Sequence, residues 1–341
     1  MKFQLVLLIC LVWLVGCEQQ QSKHIVWNMP TSFGDGVFHT KNIQEFAKEI
    51  EQGTQGKLKL EIYSGASLYK QPDIKRAVRS GQVAMGETVL SLYGNENPIY
   101  QIDTLPLLAT SYENARKLWI ASREELENSL AAQNLKLLFS VPWPPQGLYI
   151  KREINSLDDM RAMKIRSYNA MLSRLIQLMG GVPTSVESSD IAQAFSTGMI
   201  DSMMTSPSTG VSSQCWDYVR FYYDFQAWIP KNMVFVNKTF FDALPKAMQE
   251  VVLKAAAAAE QRGWELSQRE TESKLAILQK NGVKIMFPSD KLLAELTEIR
   301  QQMAREWEAK AGSAGERILK KYEELLNAPP SHTMGSNGEL L

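Results

Sequence analysis

The chain has 341 residues, 45% of them hydrophobic, so it is long enough to build more than one hydrophobic core. Lysine plus arginine and aspartate plus glutamate each number 37, so there is no strongly basic surface of the kind that binds nucleic acid. The composition therefore predicts a body of two lobes with no nucleic-acid partner.

The N-terminal segment is typical of an exported protein. A run of eleven apolar residues ends at Val15, whereas a transmembrane helix needs about 20. The last four residues of the segment, Leu-Val-Gly-Cys, resemble a bacterial lipobox, in which cleavage precedes the cysteine and the cysteine carries a lipid. We therefore expect residues 1–16 to be a signal peptide, Cys17 to be lipidated and residues 17–23 to form a tether. An uncleaved anchor or an ordinary signal peptide is the alternative.

Residues 24–142 alternate between strand and helix patterns, which predicts an α/β lobe, called lobe I below. Leu58, Leu60 and Ile62 alternate with charged residues, as in a strand with one buried face. The other predicted elements of this lobe are strands at 25–27, 83–85 and 135–141 and helices at 37–52, near 74–78, at 111–120 and at 122–133. Alternation of this kind favours parallel sheets with helices on both faces.

Two segments that contain proline predict crossovers between the lobes. They are Pro-Trp-Pro-Pro at residues 142–145 and Ile-Pro at residues 229–230, and proline lacks the N–H that a central strand needs. We expect residues 143–230 to form lobe II and residues 231–244 to return to lobe I. The elements predicted in lobe II are strands near 148–151, 163–167 and 199–204 and helices near 169–179 and 189–197.

The C-terminal part of the chain contains a helix longer than one lobe. Residues 245–281 have high helix propensity, and about 35 residues at about 1.5 Å each would span about 50 Å. We expect this helix to brace both lobes. The strand and helices of residues 282–327 are assigned mainly to lobe I, and residues 328–341 are expected to form a flexible tail.

The sequence lacks the motifs of common catalytic and metal sites. It contains no His-Glu-x-x-His, Cys-x-x-Cys, Gly-x-Ser-x-Gly or P-loop pattern. We therefore expect no enzymatic activity, no metal and no cofactor. In two-lobed α/β proteins, ligands bind in a crevice at the carboxyl ends of strands, and hinge bending can close it.

Arg166 is the candidate that could hold a ligand in this crevice. It lies near the carboxyl end of the strand predicted at 163–167, where a guanidinium can bind a carboxylate through two parallel hydrogen bonds. Judged from its position alone, Arg166 could instead form an ion pair at the surface or between the lobes and not contact a ligand.

Short motifs follow one another along nearly the whole mature chain. Those of the first half are FAKE at 46–49, GKL at 56–58, VRSGQVA at 78–84 and LPLL at 105–108. Those of the second half are INSLDDM at 154–160, MKIR at 163–166, GGVPT at 180–184, AFSTGMID at 194–201, VNK at 236–238 and LP at 244–245. In this order they resemble the solute-binding subunits of tripartite ATP-independent periplasmic (TRAP) transporters, the DctP-like family. The resemblance implies a two-lobed α/β fold like that of periplasmic binding proteins, with a hinge and a long helix across both lobes.

The resemblance also implies ligand contacts at individual positions. Arg166 matches the carboxylate-binding arginine of the family, and Glu87 lies at the end of a lobe I strand where relatives contact ligand. Many members carry a second arginine where this chain has Gln146, and an asparagine where it has Ser206. With one cation only, these departures favour a monocarboxylate that is hydroxylated or aromatic. For Glu87, a buried ion pair is the alternative.

Three aromatic residues are further candidates for the walls of the crevice. Phe33 and Tyr69 lie in predicted loops of lobe I, and Trp143 lies in the first crossover, where its ring could stack on a ligand. Each of the three could instead pack in the protein interior.

The sequence therefore predicts an extracytoplasmic, lipid-anchored solute-binding protein that closes around a small organic acid. As implied by the resemblance, its partners are the small and large membrane subunits of a TRAP transporter. One alternative is a lipoprotein that presents a sensed solute to a membrane receptor. Another is the binding protein of a different class of permease.

Overall fold

The computed structural model describes residues 24–328, which form eleven strands and nine α-helices, besides short 3-10 turns. In chain order these are β1 (Ile25–Pro30), α1 (Phe38–Gly53), β2 (Leu58–Tyr63), α2 (Gln71–Arg79), β3 (Met85–Val89), α3 (Tyr112–Ala131), β4 (Leu135–Pro142), β5 (Gly147–Ile150), β6 (Lys164–Ser167), α4 (Ala170–Leu178), β7 (Val182–Ser185), α5 (Ile191–Ser196), β8 (Ser202–Thr205), α6 (Pro207–Ser212), β9 (Phe221–Tyr223), β10 (Lys231–Asn237), α7 (Lys238–Asp242), α8 (Lys246–Lys280), β11 (Lys284–Met286) and α9 (Asp290–Asn327). The predicted signal peptide, Cys17 with its tether, and all but the first residue of the predicted tail lie outside the described residues.

The strands form separate sheets in two lobes, which confirms the predicted two-lobed α/β fold. In lobe I, β10 lies between β3 and β4 and is antiparallel to both, while β1 and β2 form a parallel pair that contacts β3. In lobe II, six strands form one sheet in the order β11-β9-β5-β8-β6-β7. The expectation of parallel sheets is wrong for β5 and β10, which run antiparallel to their neighbours because each enters its sheet from the other lobe.

Two extended segments connect the lobes, one between β4 and β5 and the other between β9 and β10. They are hydrogen bonded to each other, since the N–H of Trp143 donates to the carbonyl of Pro230 at 2.8 Å and the N–H of Gln146 donates to that of Trp228 at 3.0 Å. Gly147 begins β5, and a Cβ there would lie 2.4 Å from a carbonyl oxygen of β9. The absence of a side chain at Gly147 therefore allows the strands next to the hinge to approach each other closely.

The long helix α8 contains 35 residues and packs on both lobes, as predicted. It contacts α1 and β4 of lobe I and α6 and β11 of lobe II. In lobe I the amide of Asn42 donates to the carbonyl of Ala259 at 2.9 Å, and in lobe II the hydroxyl of Ser208 donates to Glu270 at 2.9 Å. Within residues 24–328, no helix combines the length and the hydropathy that crossing a membrane requires.

The C-terminal strand lies in lobe II, which corrects its assignment to lobe I. β11 pairs in parallel with β9, because α8 ends beside lobe II and the chain re-enters the nearest open sheet edge. The helix α9 then extends to lobe I, where it packs on α3 and the indole N–H of Trp307 donates to the carbonyl of Pro98 at 2.7 Å. Gly312 interrupts α9 with a φ of 55° and a ψ of −144°.

The two helices predicted at 111–120 and 122–133 form one continuous helix, α3. Neither proline nor glycine lies between them, so nothing breaks the backbone hydrogen bonding there. The hydroxyl of Ser111 caps the start of α3 by accepting from the N–H of Asn114 at 3.1 Å.

Candidate functional site

A cavity lies between the lobes, next to the two crossover segments. Its walls are formed by Phe33, Gln71 and Val89 of lobe I, by Trp143, Gln146 and Pro230 of the crossovers, and by Arg166, Tyr168, Ser188, Thr205, Ser206 and Thr209 of lobe II. The predicted site residues that line it are Phe33, Trp143, Gln146, Arg166 and Ser206. The structure therefore brings together five predicted residues that are distant in sequence.

Among the described residues that line the cavity, only Arg166 is charged. It lies on β6, is 4% exposed, and its Nε–H donates to the carbonyl of Val186 at 2.9 Å. Within residues 24–328, no acidic side chain lies within salt-bridge distance of its guanidinium. Burial lowers the pKa of Arg166 to about 10, so it stays cationic at neutral pH. The lobe II wall thus presents a buried cation that a carboxylate could neutralise.

Gln146 presents an oriented oxygen to the same region. Its Nε2–H donates to the carbonyl of Pro144 at 2.8 Å, and because a carbonyl can only accept, this contact fixes which end of the amide is nitrogen. The other end, Oε1, accepts at 3.5 Å from the hydroxyl of Tyr168, which also lines the cavity. Gln146 is therefore an uncharged hydrogen-bond acceptor in the cavity wall.

Ser206 contributes a hydroxyl at the start of α6. Its Oγ accepts from the N–H of Thr209 at 3.2 Å, and its carbonyl accepts from the hydroxyl of Tyr149 at 3.1 Å. Thr205 and Thr209 add two further hydroxyls to this side of the cavity. Across residues 24–328 there is no group of three or more histidine, cysteine, aspartate or glutamate side chains placed to hold a metal ion. The lobe II wall is therefore polar, with one charge.

Glu87 lies behind the cavity wall, contrary to the expectation that it contacts ligand. It is 1% exposed and accepts hydrogen bonds from the hydroxyl of Thr31 at 2.7 Å and the amide of Asn232 at 3.1 Å, while Nδ1 of His39 lies 3.3 Å away. Asn232 in turn accepts from the indole N–H of Trp143 at 2.8 Å. Glu87 therefore acts on the cavity through Asn232, which fixes the orientation of the Trp143 ring.

The ring of Trp143 is further held by an aromatic cluster. Its centroid lies 4.9 Å from that of Phe33, 5.5 Å from that of Phe38 and 4.2 Å from that of His39. Burial lowers the pKa of His39, so its neutral form is favoured in this cluster. Trp143 and Phe33 thus form a rigid apolar wall opposite the hydroxyls of lobe II.

Tyr69 does not line the cavity, contrary to expectation. Its hydroxyl donates to the side-chain carbonyl of Gln82 at 3.0 Å, and its ring packs against the hydrophobic core. Its position in a loop near the start of α2 gave no information about which way the ring would point.

Sequence reasoning missed several residues of the cavity wall. They include Gln71, Val89 and Tyr168. Tyr168 directly follows β6, so the tendency of ligands to bind beyond the carboxyl ends of strands could have identified it. Gln71 begins a helix of lobe I, and only the approach of the lobes places it near Arg166.

Comparison with known proteins identifies the family. Residues 32–311, well over half of the chain, match the model of the bacterial extracellular solute-binding proteins of family 7, DctP. The structure is similar to that of DctP6, an extracytoplasmic solute receptor of Bordetella pertussis that binds pyroglutamic acid. The two sequences are 41% identical, the match covers 88% of this chain and 99% of that chain, and the TM-score is 0.87.

Two other similar proteins support the same family assignment. A TRAP solute-binding protein from a marine metagenome, specific for pyroglutamate, is 34% identical, with 89% of this chain and 99% of that chain covered and a TM-score of 0.87. A solute-binding protein of Albidiferax ferrireducens is 27% identical over 275 residues, which are 79% of this chain and 81% of that protein. The chain therefore belongs to the DctP family, the periplasmic solute receptors of TRAP transporters, which bind small organic acids.

Proposed function

We propose that this receptor binds pyroglutamate, a five-membered cyclic amide that carries one carboxylate, and delivers it unchanged to the membrane subunits of a TRAP transporter. The observation that carries the proposal is the single charge of the cavity wall, Arg166, facing otherwise neutral residues. Two structural neighbours at 41% and 34% identity bind pyroglutamate, which supports this ligand for a chain so similar to them.

In this proposal Arg166 and Ser206 of lobe II and Gln146 of the first crossover bind the polar edge of the ligand. Arg166 donates to the carboxylate, and Oε1 of Gln146 accepts from the ring N–H. Ser206 supplies a further hydroxyl, while Trp143 and Phe33 cover the ring faces. A dicarboxylate is disfavoured because its second charge would be buried without a cation, at a cost of several kcal/mol.

Closure of the lobes is proposed to occur at the two crossover segments, residues 143–146 and 224–230. A ligand bound to Arg166 on lobe II would then meet Phe33 and the other residues of lobe I only in the closed form. Such a ligand shifts the balance towards closure by the difference between its affinities for the two forms.

We also propose that a lipid on Cys17 anchors the receptor to a membrane. We expect Cys17→Ser to release the protein into the soluble periplasmic fraction, because the substitution removes the acceptor of the lipid. Fractionation of cells and intact mass of the membrane-extracted protein would test this. A Cys10→Ser control should remain in the membrane fraction, and wild-type protein without a mass increase for lipid would rule the anchor out.

Isothermal titration of the mature protein with pyroglutamate, succinate, glucuronate and proline would test the ligand. We expect pyroglutamate to bind at least about 100-fold more tightly than the other three, a difference of about 2.7 kcal/mol. Tighter binding of succinate or glucuronate would overturn the assignment and would mean that the cavity opens further than this form indicates.

A further inference from the structure

Gln71 carries a buried donor without a hydrogen-bond partner at the cavity wall. It is the first residue of α2, it is 7% exposed, and it lines the cavity on the side of lobe I. Its Nε2 is buried and has no hydrogen-bond acceptor among residues 24–328. Six buried side-chain atoms in this part of the chain lack a partner, and Nε2 of Gln71 is the only one on a residue that lines the cavity.

The base of this side chain is fixed. The carbonyl of Gln71 accepts from the hydroxyl of Tyr93 at 3.3 Å, and Pro72, the second residue of α2, restricts the backbone conformation of Gln71, which precedes it. A buried amide without its hydrogen bond is unfavourable, and most buried polar groups in folded proteins are paired. The position of this donor, opposite the cation of lobe II, therefore points to a partner within the cavity.

The chemistry of the donor restricts that partner to a hydrogen-bond acceptor. An amide nitrogen only donates, so it cannot pair with a ligand N–H. Arg166, on the opposite lobe, is suited to the carboxylate, which leaves an uncharged oxygen of the ligand for Gln71. Gln71 thus adds an amide donor to the acceptor oxygen of Gln146, and together these two groups complement an amide C=O and N–H.

We propose that Gln71 is a specificity-determining residue whose Nε2–H donates to an uncharged carbonyl oxygen of the ligand, the ring carbonyl in the case of pyroglutamate. The inference rests on the proposed function and goes beyond it. It assigns to lobe I the group that distinguishes an oxo-substituted ring from an unsubstituted one. It also gives lobe I a polar contact with a ligand whose carboxylate is held by lobe II.

Three ring carboxylates would separate the two amide contacts. Pyroglutamate has both the ring carbonyl and the N–H, 3-oxocyclopentanecarboxylate keeps only the carbonyl, and cyclopentanecarboxylate has neither. Dissociation constants of all three would be measured for the wild type, Gln71→Met and Gln71→Glu, with Gln82→Met as a control. Gln82 is an exposed glutamine of the same lobe, outside the cavity wall.

We expect the wild type and Gln82→Met to bind the oxo ring about 10-fold more tightly than the plain ring. In Gln71→Met this ratio should fall to within about twofold, because the donor is gone. Gln71→Glu should bind the oxo ring more weakly than Gln71→Met, because its carboxylate faces a carbonyl oxygen. Thermal unfolding of each ligand-free variant would verify its fold.

Two results would overturn the inference alone. One is a wild type that binds pyroglutamate but does not distinguish the two carbocyclic acids, a comparison that requires no variant. The other is a Gln71→Met protein that retains the full ratio. Failure of the wild type to bind pyroglutamate at all would overturn the ligand assignment, and the inference with it.

Discussion

At the scale of single residues, Arg166 combines a positive charge with 4% exposure, and no anion lies within salt-bridge distance among residues 24–328. Removing a guanidinium from water costs free energy, which an ion pair with a ligand carboxylate offsets. The folded protein is therefore expected to be less stable with an empty cavity than with a carboxylate paired to Arg166. Binding and stability are therefore expected to depend on Arg166 in opposite ways.

We expect Arg166→Met to weaken binding of pyroglutamate on the order of 100-fold or more, because two charge-assisted hydrogen bonds are lost. The same change should raise the free energy of unfolding of the ligand-free protein by about 1–4 kcal/mol, because a buried charge is replaced by an apolar side chain. Calorimetric titration and urea denaturation would measure the two effects. Arg161→Met, on the exposed surface of the same lobe, should change neither. A ligand-free Arg166→Met protein less stable than the wild type would contradict this account.

The buried imidazole of His39 is expected to make the stability of the folded protein depend on pH. Burial lowers its pKa from 6.5, with Glu87 and Glu270 acting in the opposite direction, so the unfolded chain binds a proton more readily than the folded one. The contribution of His39 is fully present above about pH 6.5 and is lost as the pH falls towards the lower pKa of the folded state.

Urea denaturation between pH 5 and pH 8 would measure this contribution. We expect the free energy of unfolding to fall below pH 6.5 with a slope of at most about 1.4 kcal/mol per pH unit from this one group. His39→Gln should show a smaller slope in the same range. An equal slope in the two proteins would mean that other groups cause the dependence.

At the scale of elements, α8 depends on a close approach to β4. A Cβ on Gly263 would lie 2.4 Å and 2.8 Å from the methyl groups of Val141 and 2.9 Å from the amide of Asn42. Glycine at this position makes the helix about 1 kcal/mol less stable than alanine would, but it allows α8 to pack tightly against lobe I.

We expect Gly263→Ala to lower the free energy of unfolding by about 1–3 kcal/mol, because overpacking outweighs the gain in helix propensity. Ser273→Ala, at an exposed position of the same helix, should be neutral or slightly stabilising. Thermal and urea unfolding would compare the two. A more stable Gly263→Ala protein would show that α8 can move away from β4 at little cost.

At the scale of the whole molecule, the lobes meet through buried polar contacts as well as through the hinge. The amide of Asn169, which caps α4 in lobe II, donates to the hydroxyl of Ser91 in lobe I at 2.8 Å. Under the proposed hinge closure, a contact of this kind between the lobes stabilises the closed form alone. A contact within one lobe, such as that of Ser129 with Asn97 at 3.1 Å, stabilises the open and closed forms equally.

We therefore expect Ser91→Ala to raise the dissociation constant of the ligand about three- to tenfold, with little change in the stability of the ligand-free protein. Ser129→Ala should do the reverse, lowering stability while leaving affinity unchanged. Titration calorimetry and thermal unfolding of both variants would separate the effects. Equal losses of affinity in the two would refute the distinction between contacts across and within lobes.

The sequence by itself determined most of the elements, the division into two lobes and the long helix. Alternating residues, proline-containing crossovers and one long segment of high helix propensity predicted the lobes and α8, because these signals are local along the chain. The strand-end position and the family motifs also predicted the carboxylate-binding role of Arg166, which stays a proposal. The tertiary structure alone decided that β11 joins lobe II, that Glu87 acts through Asn232, and that Gln71 lies at the cavity wall. These features depend on contacts between residues far apart in sequence, and whether a side chain faces a ligand or the core is decided only when two lobes pack together.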